Sequence, residues 1–158
     1  MRKLQPNSRH CFVCGVENKF GLHLRFFETG EGEVTVETVV PEHFQGYPGV
    51  VHGGIVASLV DEALGRVHMG SDPDNPRFMF TAKLTVNYRK NVPTSQPIRV
   101  VAHASNSKKR TATSVAKIYG PSGDLLAEAE AILVNVPEQV LAEVDLTQLG
   151  WQIYPEGE

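Results

Sequence analysis

The residues best arranged for chemistry lie in one stretch, Val50-Val51-His52-Gly53-Gly54-Ile55-Val56-Ala57-Ser58-Leu59-Val60-Asp61-Glu62-Ala63. A turn-prone loop, Gln45-Gly46-Tyr47-Pro48-Gly49, runs into His52-Gly53-Gly54 and then into an apolar run that carries two carboxylates. Glycine lets backbone or ligand approach closely. Two glycines that open a helix leave N–H groups pointing out along its axis. With the positive end of the helix dipole, those groups suit an anion or an oxygen that gains negative charge. Asp61 follows Gly54 by seven residues. The two therefore share a helix face, about 10 Å apart at a rise of about 1.5 Å per residue. Ala57, Ser58, Gly65 and His68 fall on the same face, while Ile55, Val56, Leu59, Val60, Ala63 and Val67 form the side expected to face the core. The pattern allows a polarised oxygen at the helix start and a carboxylate acting as base or nucleophile. The plain alternative is a Gly-rich helix start with a solvated Asp. A single Asp between Val60 and the small residues of an apolar helix fits that alternative poorly.

The elements that must position these groups can be read on either side. The helix is expected over Gly53–Met69, with Gly70 as its stop signal. Before it, Gly21–Phe27 and Glu33–Val40 alternate apolar and polar residues around a Gly-containing turn and read as a hairpin. Pro41 breaks the second strand, and His43 in the following loop reads as a surface histidine. After a Pro-broken loop at 71–76, strands are expected over Phe78–Arg89, Ile98–Ala104, Thr111–Tyr119 and Leu125–Val136. Short turns between them suggest an antiparallel meander. Residues 1–10 read as a loosely held arm, and 137–158 as a short helix over Glu138–Val144 with a tail. Trp151 and Tyr154 in that tail are expected on the surface or on a second copy. The expected architecture is a single α+β domain over 1–136, in which a curved antiparallel sheet of about six strands wraps one long helix.

Composition narrows the function classes. The chain has 158 residues, 41% hydrophobic and 21% charged, with a formal net charge of −3. This is ordinary for one soluble domain and offers no electrostatic case for nucleic acid. No apolar run is long enough to span a bilayer, and the first residues lack the apolar segment of a secretory signal. The expected location is cytoplasmic, with no membrane partner. Cys11-Phe12-Val13-Cys14-Gly15 is half a zinc site, but such a site needs four ligands and no second Cys pair exists. His10 and His23 are close in sequence. No strand–helix context supports a redox dithiol either, so the pair reads as two small apolar residues beside a Gly turn, and no metal is expected. His103 reads as structural or surface.

The chain resembles the hotdog-fold acyl-CoA thioesterases, in particular the branch of the phenylacetic-acid-pathway (PaaI-like) enzymes and the mammalian thioesterase-superfamily members. The residues that carry the resemblance are His52-Gly53-Gly54 with Asp61 nine positions after the His, the strand Thr81-Ala82-Lys83-Leu84-Thr85-Val86-Asn87-Tyr88 followed by Pro93, and Cys11-x-x-Cys14-Gly15 with Gly21-Leu22. It covers roughly residues 11–136. It implies hydrolysis of acyl-CoA thioesters, with coenzyme A as part of the substrate and no separate cofactor. It also implies a homodimer or homotetramer whose sheets pair edge to edge, with active sites at the subunit interface. Bringing Asp61 of one chain near Gly54 of another would also remove the difficulty of their separation along one helix.

In this reading Gly54 N–H stabilises the oxyanion, Asp61 is general base or nucleophile, His52 orients the carbonyl or the loop, and Thr81 holds the water. Gly53, Ser58, His68 and Asn87 are assigned to substrate binding. Lys108-Lys109-Arg110, together with Arg89-Lys90, are candidates for the phosphates of coenzyme A. Glu62, about 100° further round the helix, is the competing carboxylate. Two rival readings stand beside this one. One is a non-catalytic acyl-CoA-binding or regulatory module. The other is a hotdog hydratase or dehydratase, which His43 with Glu62 superficially imitates.

Overall fold

The computed structural model describes residues 1–157. Its elements in order are strands β1 (Lys3–Leu4), β2 (Phe27–Gly30) and β3 (Glu33–Val39), a 3-10 turn at Glu42–Phe44, and strands β4 (Gln45–Tyr47) and β5 (Val50–Val51). Helix α1 (Gly53–Met69) follows, then strands β6 (Met79–Tyr88), β7 (Pro97–Ser107), β8 (Thr111–Tyr119) and β9 (Leu125–Asn135). Two single-turn helices, α2 (Glu138–Leu141) and α3 (Leu146–Leu149), end the chain. Seven strands form one antiparallel sheet in the order β1-β2-β3-β7-β8-β9-β6, and β4 and β5 form a separate small ladder.

Period-two alternation decides which face of the sheet meets the helix. Val34 and Val36 on β3, Ile98, Val100 and Ala102 on β7, Ala112, Ala116 and Ile118 on β8, and Ala127, Ala129, Ala131 and Leu133 on β9 are all buried. Many of these are alanines, and their small side chains let α1 lie close across β7 and β8. From its side α1 contributes Val56, Leu59, Val60, Ala63 and Leu64, all at 2% exposure or less. Each large side chain buried in this way stabilises the fold by about 1.5–3 kcal/mol. Leu64 was not among the expected core residues, whereas Ile55 and Val67 lie only at the core's margin. The helix has the expected bounds and ends at Gly70, whose φ of +82° is one that side chains rarely adopt.

Two strand expectations are corrected. The four late strands are not one meander: β7, β8 and β9 are sequential neighbours, but β6 pairs with β9 at the far edge. The connection after β6 is tied down elsewhere, because Val51 N–H donates to the Val92 carbonyl and Val50 bridges Pro93. In the early hairpin the second strand joins the sheet as β3, but of the expected first strand, Gly21–Phe27, only Phe27 does, at the start of β2. Leu22 and Leu24 donate their N–H groups to the carbonyls of Phe12 and Val13 instead, so that stretch is satisfied by a loop.

The N-terminal residues are not a loose arm. Gln5, Asn7 and Ser8 are buried, and Lys3–Leu4 pairs with β2. A fully buried arginine, Arg66 on α1, holds this segment. It donates to the Pro6 carbonyl and to Asn7 Oδ1, and it pairs with Glu62 at 3.1 Å. Its guanidinium also lies over the rings of Phe26 and Trp151. Trp151 packs edge-on against Phe78, and Asn7 bridges Gln152, so the C-terminal tail packs on its own chain.

Candidate functional site

The start of α1 is built by the loop before it. His52 N–H donates to the Phe44 carbonyl, and Gly46 sits so close to His52 that an added Cβ would come within 3.2 Å of its Cα. The His52 carbonyl accepts the N–H groups of Ile55 and Val56. Its imidazole Nδ1 accepts the N–H of Gly54 at 2.9 Å. The proposed oxyanion donor is therefore capped by the histidine two residues before it. Among the described residues, the Gly53 N–H makes no hydrogen bond. Tyr88 on β6 donates its hydroxyl to the Gly53 carbonyl at 2.7 Å and joins the strand to the helix start. An open cleft of about 450 Å³ lies here, between the β4–β5 loop, His52 and Gly53 on one side and Tyr88, Arg89 and Lys90 on the other. That size falls in the range of small-molecule sites. The sequence by itself assigns Tyr88 no role. Its parity with Leu84 and Val86, which pack against the core, is the signal that it faces the helix.

Two turns further along α1, Asp61 is half-buried and its Oδ1 accepts a hydrogen bond from Thr81 Oγ1 at 2.7 Å. Thr81 was expected to hold a water; in this structure its hydroxyl is engaged with the carboxylate. Ser58 Oγ donates to the Gly54 carbonyl and stays on its own helix. Asp61, Thr81 and the helix start all lie along β6, whose outer edge is unpaired among the described residues. Phe80 and Tyr88 on that strand are 50% and 54% exposed, unusual for large aromatic side chains.

The remaining candidates separate. Asn87 is exposed on β6 in register with Glu128. His68 Nε2 bonds the Thr113 carbonyl at 3.0 Å, and burial lowers its pKa below the ordinary imidazole value. Arg89 pairs with Glu128 and Lys90 with Asp124 beside the cleft. Lys108, Lys109 and Arg110 lie in the β7–β8 turn, at the Met79 end of β6, where Asn135 N–H bonds the Arg110 carbonyl. The two basic groups are thus at opposite ends of a ten-residue strand, roughly 30 Å apart. Within one chain they cannot hold the same phosphates. His43 stacks on Phe44.

Glu62 turns toward a different neighbourhood, formed by Arg66, Cys11 and Cys14. Burial pushes its carboxyl up to about 7, against the opposing charge of Arg66. The hydrogen bond from Cys14 pulls the Cys11 thiol down to about 6, against its own burial. The same hydrogen bond, followed by burial, pushes the Cys14 thiol up.

Residues 48–127, about half of the chain, match the family described as Thioesterase superfamily. The chain belongs to the thioesterase superfamily. An acyl-coenzyme A thioesterase of Bos taurus is 31% identical to it over 83 residues, which cover 52% of this thioesterase-superfamily chain and 32% of the bovine protein. A crystal structure of a thioesterase superfamily protein superposes with a TM-score of 0.71 and 26% identity, over 80% of this chain and 60% of that one. A thioesterase-like protein of Streptococcus pneumoniae, crystallised with coenzyme A, superposes with a TM-score of 0.64 and 19% identity, over 72% of this chain and 85% of that one. At that identity the likeness is one of fold. The superfamily chain thus spans about a third of the bovine relative it matches.

Proposed function

We propose that the protein hydrolyses acyl-CoA thioesters to a free acid and coenzyme A. The observation that carries this reading is the Asp61 carboxylate, held by Thr81 on the open face of a helix that starts at His52-Gly53-Gly54. Membership of the thioesterase superfamily supports the same chemistry. The thioester carbonyl takes a backbone N–H at the helix start, Gly53 directly or Gly54 once His52 swings aside. Removing one such donor from an oxyanion site costs about 10²–10³ in rate. In one course, a water attacks the carbonyl carbon, its proton passes to Asp61, the C–S bond breaks, and the leaving thiolate takes a proton. In the other, Asp61 itself attacks, coenzyme A leaves, and water hydrolyses the resulting anhydride. Both use the same carboxylate, and Thr81 orients it in both.

In this reading the working unit is a two-fold dimer that pairs the two free β6 edges antiparallel. Such pairing sets the Tyr88 end of one β6 beside the Met79 end of its mate. It draws Asp61 of one chain toward the helix start of the other. It also draws Arg89 of one chain toward Lys108, Lys109 and Arg110 of the other, so the two separated basic groups could share one set of phosphates. The exposed Phe80 and Tyr88 would be covered in the process.

The test is thiol release from a panel of acyl-CoA esters, from acetyl to palmitoyl with phenylacetyl and benzoyl, for wild type and Asp61→Asn. Turnover that falls by about 10²-fold or more in the variant, with binding kept, supports the reading. Full turnover in Asp61→Asn removes Asp61 from the chemistry. Ester binding without turnover on any member of the panel makes the chain a binding module.

A further inference from the structure

We propose that Cys11, Cys14 and Glu62 form a binding site for a zinc-type divalent metal ion, with the fourth coordination position open to water. The two Sγ atoms and a carboxylate oxygen of Glu62 all lie within 4.8 Å of one another. A tetrahedral zinc ion, with bonds of about 2.3 Å to sulfur and about 2.0–2.2 Å to oxygen, needs donors about 3.5–3.8 Å apart. The gap left to close is therefore about 1.3 Å at most, within the reach of small side-chain rotations.

The surrounding structure is already shaped for such an ion. Gly15 closes the turn through a Gly15 N–H bond to the Cys11 carbonyl. An added Cβ at Gly15 would lie 2.3 Å from that carbonyl oxygen, so only glycine allows the turn that sets both sulfurs on one side. Val13 N–H points at Cys11 Sγ, at 3.4 Å, as a donor that favours a thiolate. Cys14 is buried, Cys11 is partly open to solvent, and no disulfide joins them. Arg66 donates to Glu62 Oε1 and fixes the carboxylate, and among the described residues Oε2 accepts no hydrogen bond. This is the outer-shell support that metal-ligating carboxylates require. The charges also balance: two thiolates and a carboxylate against a divalent ion and the fully buried Arg66 leave no net charge. The third ligand escapes a sequence search because it sits on a helix, 48 residues after Cys14.

A metal here would staple the N-terminal segment to α1 at the residue next to Asp61. The site does not depend on the thioesterase reading, and its test uses no turnover. The full chain, stripped with a chelator and reduced without oxygen, is titrated with Zn²⁺ against a chromophoric competitor and separately with Co²⁺. The expected result is one ion per chain, with thiolate-to-cobalt charge transfer and tetrahedral d–d bands. Cys11→Ser and Glu62→Gln are each expected to weaken binding by at least about tenfold, since loss of an outer-shell partner alone costs about that much. Zinc is also expected to raise Tm and to shield both thiols from alkylation. Absence of stoichiometric binding, a cobalt spectrum without thiolate bands, or unchanged affinity in Glu62→Gln would overturn the proposal. Should a variant fail to fold, the wild-type cobalt spectrum and thiol protection decide the matter.

Discussion

Replacing Thr81 with valine removes one hydrogen-bond donor and little else. Valine has nearly the same shape and is a strong strand former, so β6 should persist. What disappears is the 2.7 Å bond from Oγ1 to Asp61 Oδ1. A hydrogen bond to a charged group contributes about 1.5–3 kcal/mol, and each 1.4 kcal/mol is about tenfold in rate. If the bond holds Asp61 in its reactive orientation, Thr81→Val should lower kcat/KM by about 10- to 150-fold. In an isolated chain the pair is open to water, which favours the lower end; a covered interface favours the upper one. The loss should fall on kcat, with KM little changed, because the bond touches the carboxylate and not the bound ester. Thr81→Ser should restore most of the rate. The assay is steady-state thiol release on the best ester of the panel, with Asp61→Asn and the double variant alongside. In the double variant Thr81→Val should add almost nothing, because its only partner is already changed. A Thr81→Val enzyme within about twofold of wild type would refute the reasoning, as would losses that simply add.

Three further outcomes follow from burial and charge. Leu59→Ala, at a fully buried site on α1, should destabilise the fold by about 2–5 kcal/mol in denaturant unfolding. Arg66→Ala should cost about 3–5 kcal/mol, because Glu62 loses its buried partner and the N-terminal segment loses its anchor; limited proteolysis should then cut within the first ten residues. His68 binds fewer protons in the folded chain than in the unfolded one, since burial lowers its pKa. Its contribution is therefore complete above the unfolded value of about 6.5 and is lost as pH falls below it. Accordingly, His68→Gln should flatten the acid side of the stability–pH curve, measured as urea midpoints across that window.

The parts of this molecule that local chemistry controls could be read from sequence. Gly53-Gly54 and Gly70 bracket α1 because glycine starts and stops helices for reasons of backbone alone, and the strand over Thr111–Tyr119 follows from strict alternation. What local chemistry does not control was misread. Nothing in Met79–Tyr88 says that its partner is β9 and not β7, because the choice depends on how the segment around Val92 is tied to β5. Arg66, four residues after Glu62, has the look of a solvated pair; segments from both chain ends bury it. The bond from Thr81 to Asp61 joins residues twenty apart; resemblance gives Thr81 a water to hold, and nothing local in the sequence shows the carboxylate as its partner. The His52 cap on Gly54 was missed because capping rules favour Ser, Thr, Asp and Asn, and histidine stands outside them.

That cap makes the helix start selective for charge. An oxygen that takes the Gly54 N–H must first displace an imidazole nitrogen, so one hydrogen bond is exchanged for another. For a neutral thioester carbonyl the exchange is close to even. For an oxygen that has become negative it is favourable, since charge-assisted bonds are roughly twice as strong as neutral ones. In the proposed hydrolysis the donor would then add little to ground-state affinity and much to the transition state, raising kcat without tightening KM. In that reaction a histidine with the geometry of a structural cap would keep binding energy in reserve for the moment when charge develops.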